Sequence, residues 1–315
     1  MITILGAGGA IGNELVKLLA ERSQPFRLVG RSPRMAPGAT EIYPADLSDK
    51  EQTIAAVKGS SVVFLLVGLK YDHRVWAESW PRIMSNAIEG CKRAGAKLVF
   101  FDNVYMYGKV NGPMIEDMPF NPSSKKGEIR ARIAMSLMNE WKAGSLTAMI
   151  ARSADFYGPE TQNSVPNVLV FEPLSKNQKA SWLANDSVPH SFTYTPDAAQ
   201  SLLMLAGHES AWNQTWHVPT APNPLTGKQF ITVAGKELGV APRYRVLNRL
   251  MLRVAGWFNG PIAESFEMLY QSDSPYIFDS SKFADAFGFS GTPYVEGIRQ
   301  TAASFRKDHG PTSQP

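Results

Sequence analysis

Cysteine is almost absent. The 315 residues include one, Cys91, so no internal disulfide forms and a reducing compartment is the expected setting. Long apolar runs are absent too. The longest, Val62 to Leu69, is the length of a strand and far short of the ~18 residues that span a bilayer. Histidine is sparse, and His73, His208 and His217 show no metal-ligand spacing with cysteine or with one another, so no metal site is expected. Strong charge of one sign is missing: the net formal charge is only +4. Of the basic groups, Lys125/Lys126/Arg130/Arg132 and Arg243/Arg245/Arg249/Arg253 read as solvated charge, Arg27/Arg31/Arg34 is explained by the anionic phosphates of a cofactor, and none reads as a nucleic-acid surface. Repeats and low-complexity tracts are lacking. With 44% hydrophobic and 19% charged residues, the composition is that of an ordinary globular protein, expected to be cytoplasmic. The first residues already read as a strand, so no leader is expected.

What is present starts at residue 6. Gly6-Ala-Gly-Gly-Ala-Ile-Gly12 lies between an apolar run, Ile2 to Leu5, and an amphipathic stretch, Asn13 to Glu21. Strand, glycine turn and helix in this order aim backbone N–H groups and a helix N-terminus at a diphosphate. Gly6 permits the tight turn, Gly9 the approach of the phosphates, and Gly12 close packing of helix on strand. Gly8, Ala10 and Ile11 complete the turn.

The first half then alternates. Strands are expected at Phe26–Val29, from Ile42, at Val62–Val67, Lys97–Phe101 and Thr147–Ala151. Helices are expected at Lys50–Val57, Trp76–Arg93 and Ser124–Lys142. Near-continuous apolar strands imply burial on both faces. The whole predicts an α/β fold of the Rossmann type, a doubly wound parallel sheet over residues 1–158 with later contributions near 190–220. Residues 159–315 read as a smaller, mainly helical substrate or lid domain. Its expected elements are a strand Ser191–Tyr194, helices starting at Thr195 and Thr226, helices Tyr244–Phe258, Ile262–Tyr270 and Val295–Phe305, and a frayed tail from Lys307.

Arg31 follows the second strand, with Arg34 just beyond. An acid here binds a ribose 2′-hydroxyl; an arginine accommodates a 2′-phosphate, so NADP(H) is expected over NAD(H). Asp46-Leu47 follows the third strand. Asp46 either caps the next helix or accepts from the adenine amino group, and the two roles are compatible. Leu66-Val67-Gly68 ends the fourth strand at the sheet edge that lines ligand crevices.

The glycine pattern, Asp46-Leu47, Asn103-Val-Tyr-Met-Tyr-Gly108, Arg152-Ser-Ala-Asp-Phe-Tyr-Gly-Pro159, Asp197-Ala-Ala and Asp279-Ser-Ser-Lys282 fall in one order. In that order the chain resembles an extended short-chain dehydrogenase/reductase of the NAD-dependent epimerase/dehydratase family. The resemblance implies that Phe156, Tyr157 and Gly158 lie beside the nicotinamide. It also marks two departures. Asn103 stands where the family carries a serine or threonine. Lys126 and Arg130 stand at the positions of a Tyr-x-x-x-Lys pair that is missing from Pro122–Arg130. Lys126 and Arg130, four apart on a helix, share a face. Lys126 is then a candidate general acid or base, and it also contacts the cofactor. Arg130 is a donor to ribose hydroxyls, Asn103 an oxyanion-type donor, and Tyr105 a second candidate acid. Tyr107 reads as core, and Arg152 and His190 as structural. Asp155 is read as able to face the substrate.

Two readings follow. One is an NADP(H)-dependent oxidoreductase moving hydride to or from a small carbonyl, alcohol or related substrate, its pocket walled by Tyr157, Trp182, Trp257, Met268 and Tyr270. The other is an NADP-binding sensor or scaffold without turnover. A nucleotide-sugar epimerase or dehydratase fits less well, because those reactions lean on the missing tyrosine. A homodimer through the Trp76–Arg93 and Ser124–Lys142 helices is expected from the resemblance.

Overall fold

The computed structural model describes residues 1–162, 164–257 and 260–307. Its strands are β1 (Ile2–Leu5), β2 (Phe26–Gly30), β3 (Ala39–Pro44), β4 (Val62–Leu65), β5 (Lys97–Asp102), β6 (Ala148–Arg152), β7 (Asp155–Tyr157), β8 (Ala180–Leu183), β9 (Phe192–Tyr194), β10 (Thr215–His217) and β11 (Tyr244–Leu247). The first four long helices are α1 (Ala10–Glu21), α2 (Lys50–Val57), α3 (His73–Ala94) and α4 (Lys125–Lys142). The chain forms two compact units. The first contains Met1–Gly108, Glu116–Ser153 and Ala198–Val218, and the second contains Lys109–Ile115, Ala154–Asp197 and the chain from Pro219 onward.

The first unit is an α/β fold built on a seven-stranded sheet in the order β10-β6-β5-β4-β1-β2-β3. Every pairing in it is parallel. Val63, Phe64 and Leu65 of β4 and all of β6 are buried, the pattern of strands covered on both faces. The chain runs outward from β1 in both directions, so the switch of strand order falls between β1 and β4. Their carboxyl ends therefore frame the crevice where such sheets bind ligands.

Helix ends are set by local chemistry. Asp49 Oδ1 accepts from Gln52 N and caps α2, Asp72 accepts from Arg74 N and caps α3, and Ser124 Oγ accepts from Gly127 N and caps α4. Asp46 is thus not the cap of α2; that role falls to Asp49, three residues on. α1 starts at Ala10, earlier than the amphipathic run from Asn13, because Gly9 is extended and Gly12 fits inside the first turn.

In the second unit β7 pairs with β9 and β8 with β11, both parallel. Its core is aromatic: Tyr157, Phe192, Tyr194, Phe230 and Tyr294 are buried together. Thr226 and Gln229 form a reciprocal capping box on helix Gly227–Leu238. The single helix expected over Tyr244–Phe258 is instead β11 followed by helix Arg249–Gly256. Tyr244 to Leu247 find ladder partners in β8, and strand pairing overrides the apolar spacing. Phe258 lies outside the described residues, as does the tail expected from Lys307, beyond Lys307 itself. Helix Ile262–Tyr270 is broken into Gly260–Ser265, a 3-10 turn at Phe266–Met268 and Tyr270–Asp273.

Candidate cofactor and reaction site

The glycine turn leaves β1 with two bonds to the neighbouring strand: Gly6 N and Ala7 N both donate to Val29 O, at 3.0 and 3.1 Å. Gly6 has φ +92°, and a Cβ on it would stand 2.7 Å from Val67 Cα and 2.8 Å from Val67 N. Only glycine fits, because the turn is pressed against the backbone after β4. Gly8 has φ +96° with open space around it, and Gly9 is exposed. The result is a short concave backbone at the start of α1, with Ile11 and Gly12 buried beneath and Ala10 at the first helical position. This cradle, which a side chain would fill, fits a diphosphate.

Leu66 and Val67 form the facing wall: Leu66 N donates to Leu5 O at 2.9 Å, Leu66 is buried, and Gly68 is exposed beyond them. Arg31 and Arg34 are exposed just past β2. Asp46 is exposed. Its Oδ1 accepts from Ser48 N and Ser48 Oγ, which, with the nearby Arg31 cation, hold its carboxyl below the usual carboxylate range. Leu47 is buried, and its carbonyl accepts from Asn86 Nδ2 and Thr53 Oγ1.

The carboxyl end of β5 carries the second group. Asp102 turns its carboxylate inward, and Arg130 of α4 meets it, with Nε to Oδ1 at 2.6 Å and Nη2 to Oδ1 at 2.5 Å. The guanidinium also lies over Trp80 (4.4 Å), Phe100 (5.1 Å) and Trp76 (5.6 Å). Asn103 Oδ1 accepts from Tyr105 N at 3.0 Å, fixing which edge of the amide faces the turn.

Lys126 is fully buried (0% exposed), although it is the second residue of α4. The expectation of a solvated terminal lysine fails because its ammonium is drawn under Tyr71, 4.5 Å from the ring centroid. Tyr71 in turn meets Trp76 edge-on at 5.7 Å, and Trp76 stacks on Tyr105 at 6.2 Å with planes 9° apart. Trp76 Nε1 donates to Lys70 O, which pins the loop after β4. Gly127 is required beside Lys126, since a Cβ there would stand 2.5 Å from Tyr105 O. The structure thus brings Lys126, Arg130, Asn103 and Tyr105 to one sheet edge and adds Tyr71, Trp76 and Asp102. Neither composition nor spacing links Tyr71 to Lys126, 55 residues apart by number. Asp102 ends β5, one residue beyond the strand expected at Lys97–Phe101, and sequence assigned it no role.

Arg152 ends β6 beneath this edge. Its Nη1 donates to Tyr107 OH at 2.6 Å, that hydroxyl lies 2.9 Å from His217 Nε2, and Arg152 Nε is 4.0 Å from Asp102 Oδ2. Burial pushes the Tyr107 phenol up to about 12.

Tyr157 is corrected. Its ring is fully buried in the second unit, with centroids of Tyr194, Phe230, Phe192 and Tyr294 between 5.4 and 6.3 Å away. No edge of it is left for a cofactor. Phe156, one residue before, is half-buried. Asp155 Oδ2 takes His190 Nε2 at 3.0 Å. Of the residues expected to wall a pocket, Trp182 and Met268 are buried, whereas Trp257 is 77% exposed.

The fold and this edge define a Rossmann-type protein of the extended short-chain dehydrogenase/reductase class. The sequence model of the NAD dependent epimerase/dehydratase family matches residues 2–218, and the chain belongs to that family. Over 85% of its length it is 24% identical to the 3beta-hydroxysteroid-dehydrogenase/decarboxylase isoform 2 of Arabidopsis thaliana, and it spans 52% of that protein, about half. Over 82% of its length it is 24% identical to a 3-diazoavenalumate denitrifying reductase of a Streptomyces species, and here it spans 88% of the relative. Among solved structures, a UDP-glucose 4-epimerase of Thermotoga maritima superposes with TM-score 0.81 at 19% identity, covering 98% of this chain and 99% of that one. The Thermus thermophilus UDP-glucose 4-epimerase in complex with NAD gives 0.79 at 18%, covering 97% and 98%. These likenesses show the fold. Among the described residues no helix is long and apolar enough to cross a membrane.

Proposed function

We propose that the chain is an NADP(H)-dependent oxidoreductase that moves hydride to or from a small carbonyl, alcohol or related compound. The observation that carries the reading is the sheet edge of the first unit. There the Gly6–Gly12 cradle follows β1, and the Lys126 ammonium, at the start of α4, is buried against Tyr71 in the loop after β4, the strand beside β1. The bound cofactor supplies hydride; the chain's own residues do the rest. The cradle holds the diphosphate through backbone N–H groups. Arg31 and Arg34, exposed past β2, meet a 2′-phosphate. Because Asn103 Oδ1 is taken by Tyr105 N, its amide nitrogen is the edge left to donate to an acceptor oxygen. Lys126 places positive charge where negative charge grows on that oxygen. Similarity to a reductase over nearly the whole of that relative supports reduction as the direction.

The experiment follows absorbance of NADPH with the protein and a panel of carbonyls, with Lys126→Ala and Asn103→Ala alongside. Turnover by the wild type, lowered by both substitutions, is the expected result. NADPH that binds tightly and is never consumed assigns the chain to the sensor reading instead. A homodimer through α3 and α4 belongs to the same proposal. The apolar Met135, 48% exposed on α4, favours it, and sedimentation velocity reads it directly.

A further inference from the structure

We propose that the helix Arg249–Gly256 docks on an anionic membrane surface, its apolar face in the headgroup layer and its arginines against the lipid phosphates. The inference stands apart from the oxidoreductase reading above and concerns the second unit alone. It gives a role to the basic group Arg243/Arg245/Arg249/Arg253. The helix is amphipathic but turned outward. Leu250, Val254 and Trp257, spaced four and three apart, share one face, and Met251 widens it. Trp257 N donates to Val254 O at 3.2 Å, which continues the winding past Gly256. All four side chains are exposed, Leu250 by 70% and Trp257 by 77%. Leu252, two residues from both Leu250 and Val254, is buried and faces inward. A helix packed only for its own fold would bury the stripe that this one presents to water.

Three observations select the occupant. The first is charge. Arg249 and Arg253, four apart, run beside the apolar stripe, and Arg243 and Arg245 are exposed just before it. From Leu238 to Ala263 the chain carries no acidic residue. Asp273 reaches Arg249 from a later helix, accepting from its Nε at 2.8 Å, and Arg253 lies 5.5 Å over the Phe266 ring. The second is residue type. Tryptophan, leucine, methionine and valine on one face with arginine alongside is the composition of a helix that lies in a bilayer interface. An indole at one end suits headgroup depth. The third is size. An eight-residue helix is about 12 Å long, and its face offers far less than the ~800 Å² per partner that a stable dimer buries. A bilayer needs no such area, because each inserted apolar group and each arginine near anionic lipid adds to binding by itself. Such a helix lies on the surface and spans nothing.

Vesicle flotation with the full chain tests this. Vesicles of phosphatidylcholine with phosphatidylserine are compared with phosphatidylcholine alone. The wild type is expected to float with the anionic vesicles and to stay behind with the neutral ones. Arg253→Gln is expected to weaken binding roughly fivefold. Leu250→Ser combined with Trp257→Ser is expected to weaken it roughly tenfold or more. Both side chains are exposed, so the thermal midpoint of that variant is expected to hold. Brominated lipid chains are expected to quench tryptophan fluorescence in the wild type and to quench it less in Trp257→Phe. Equal flotation with neutral and anionic vesicles overturns the proposal, as does flotation that the Leu250/Trp257 substitutions leave unchanged. Absence of flotation overturns it too. Loss of self-association in the doubly substituted protein would then make the face an interface between copies, and a raised KM for apolar carbonyls would make it a wall of the substrate site.

Discussion

Arg130 Nε donates to Asp102 Oδ1 over 2.6 Å, and both side chains are buried. The last residue of β5 is thereby tied to the second turn of α4, directly below Lys126. A bidentate-capable arginine suits the place better than a lysine would, because its planar group also lies over Trp80 and Phe100.

Breaking that pair leaves a buried cation uncompensated. Asp102→Asn is expected to destabilise the protein by about 3 kcal/mol or more. Urea unfolding followed by circular dichroism measures it. A loss below about 1 kcal/mol would mean that Arg130 finds another anion.

Gly6→Ala tests the cradle. The new methyl would press on the Val67 backbone at a φ of +92°, so both space and conformation oppose it. We expect a stability loss of about 1–3 kcal/mol and NADPH binding too weak to detect. Gly8→Ala, with an equally positive φ but open space, is expected to keep part of its affinity. Equal loss from the two would show that backbone strain alone decides. Calorimetric titration with NADPH and thermal unfolding separate the two effects.

The first six strands were readable from the sequence because buried parallel strands are continuous apolar runs, as in Val62–Leu65 and Ala148–Arg152, whereas the short β7, β8 and β10 have no such run. The glycine turn was readable because its spacing is set by one local conformation. Lys126 was found by position but misjudged in environment: nothing in a linear chain says that Tyr71 will cover it. Tyr157 was misplaced for the converse reason. The resemblance set it beside the nicotinamide, yet it ends β7 and its ring completes an aromatic core drawn from Phe192, Tyr194, Phe230 and Tyr294. The Tyr244–Leu247 strand was hidden because its pairing partner, β8, lies some sixty residues earlier.

Tyr157 leads to a further expectation. Its hydroxyl is buried with no hydrogen-bond partner among the described residues. Tyr157→Phe is therefore expected to be neutral or stabilising by up to about 1 kcal/mol, with NADPH affinity unchanged. A tenfold loss of affinity would return Tyr157 to the cofactor site.

Cys91 gives the pH dependence. Burial pushes its thiol from 9.0 up to about 12. The folded state therefore keeps a proton that the unfolded state releases, and this contribution to stability falls as pH rises between those values. The slope is at most about 1.4 kcal/mol per pH unit for one group. Urea midpoints between pH 8 and 11 should decline less steeply for Cys91→Ala than for the wild type. A parallel decline would place the thiol in contact with solvent.

The arginine past β2 is expected to choose the cofactor. Arg31→Asp should weaken NADPH binding by roughly 10- to 100-fold and leave NADH binding within about threefold, as loss of one charge-assisted contact implies. Fluorescence quenching with each nucleotide measures it. Unchanged preference would assign the 2′-phosphate to other groups.

We propose that this edge binds reduced NADP and gives up its hydride. The most direct measurement is the rate at which the wild-type protein consumes NADPH and NADH with a panel of small carbonyls. Consumption of NADPH at least tenfold faster than NADH on some member is the result expected. NADPH bound tightly yet never consumed, or consumed no faster than NADH, would contradict it.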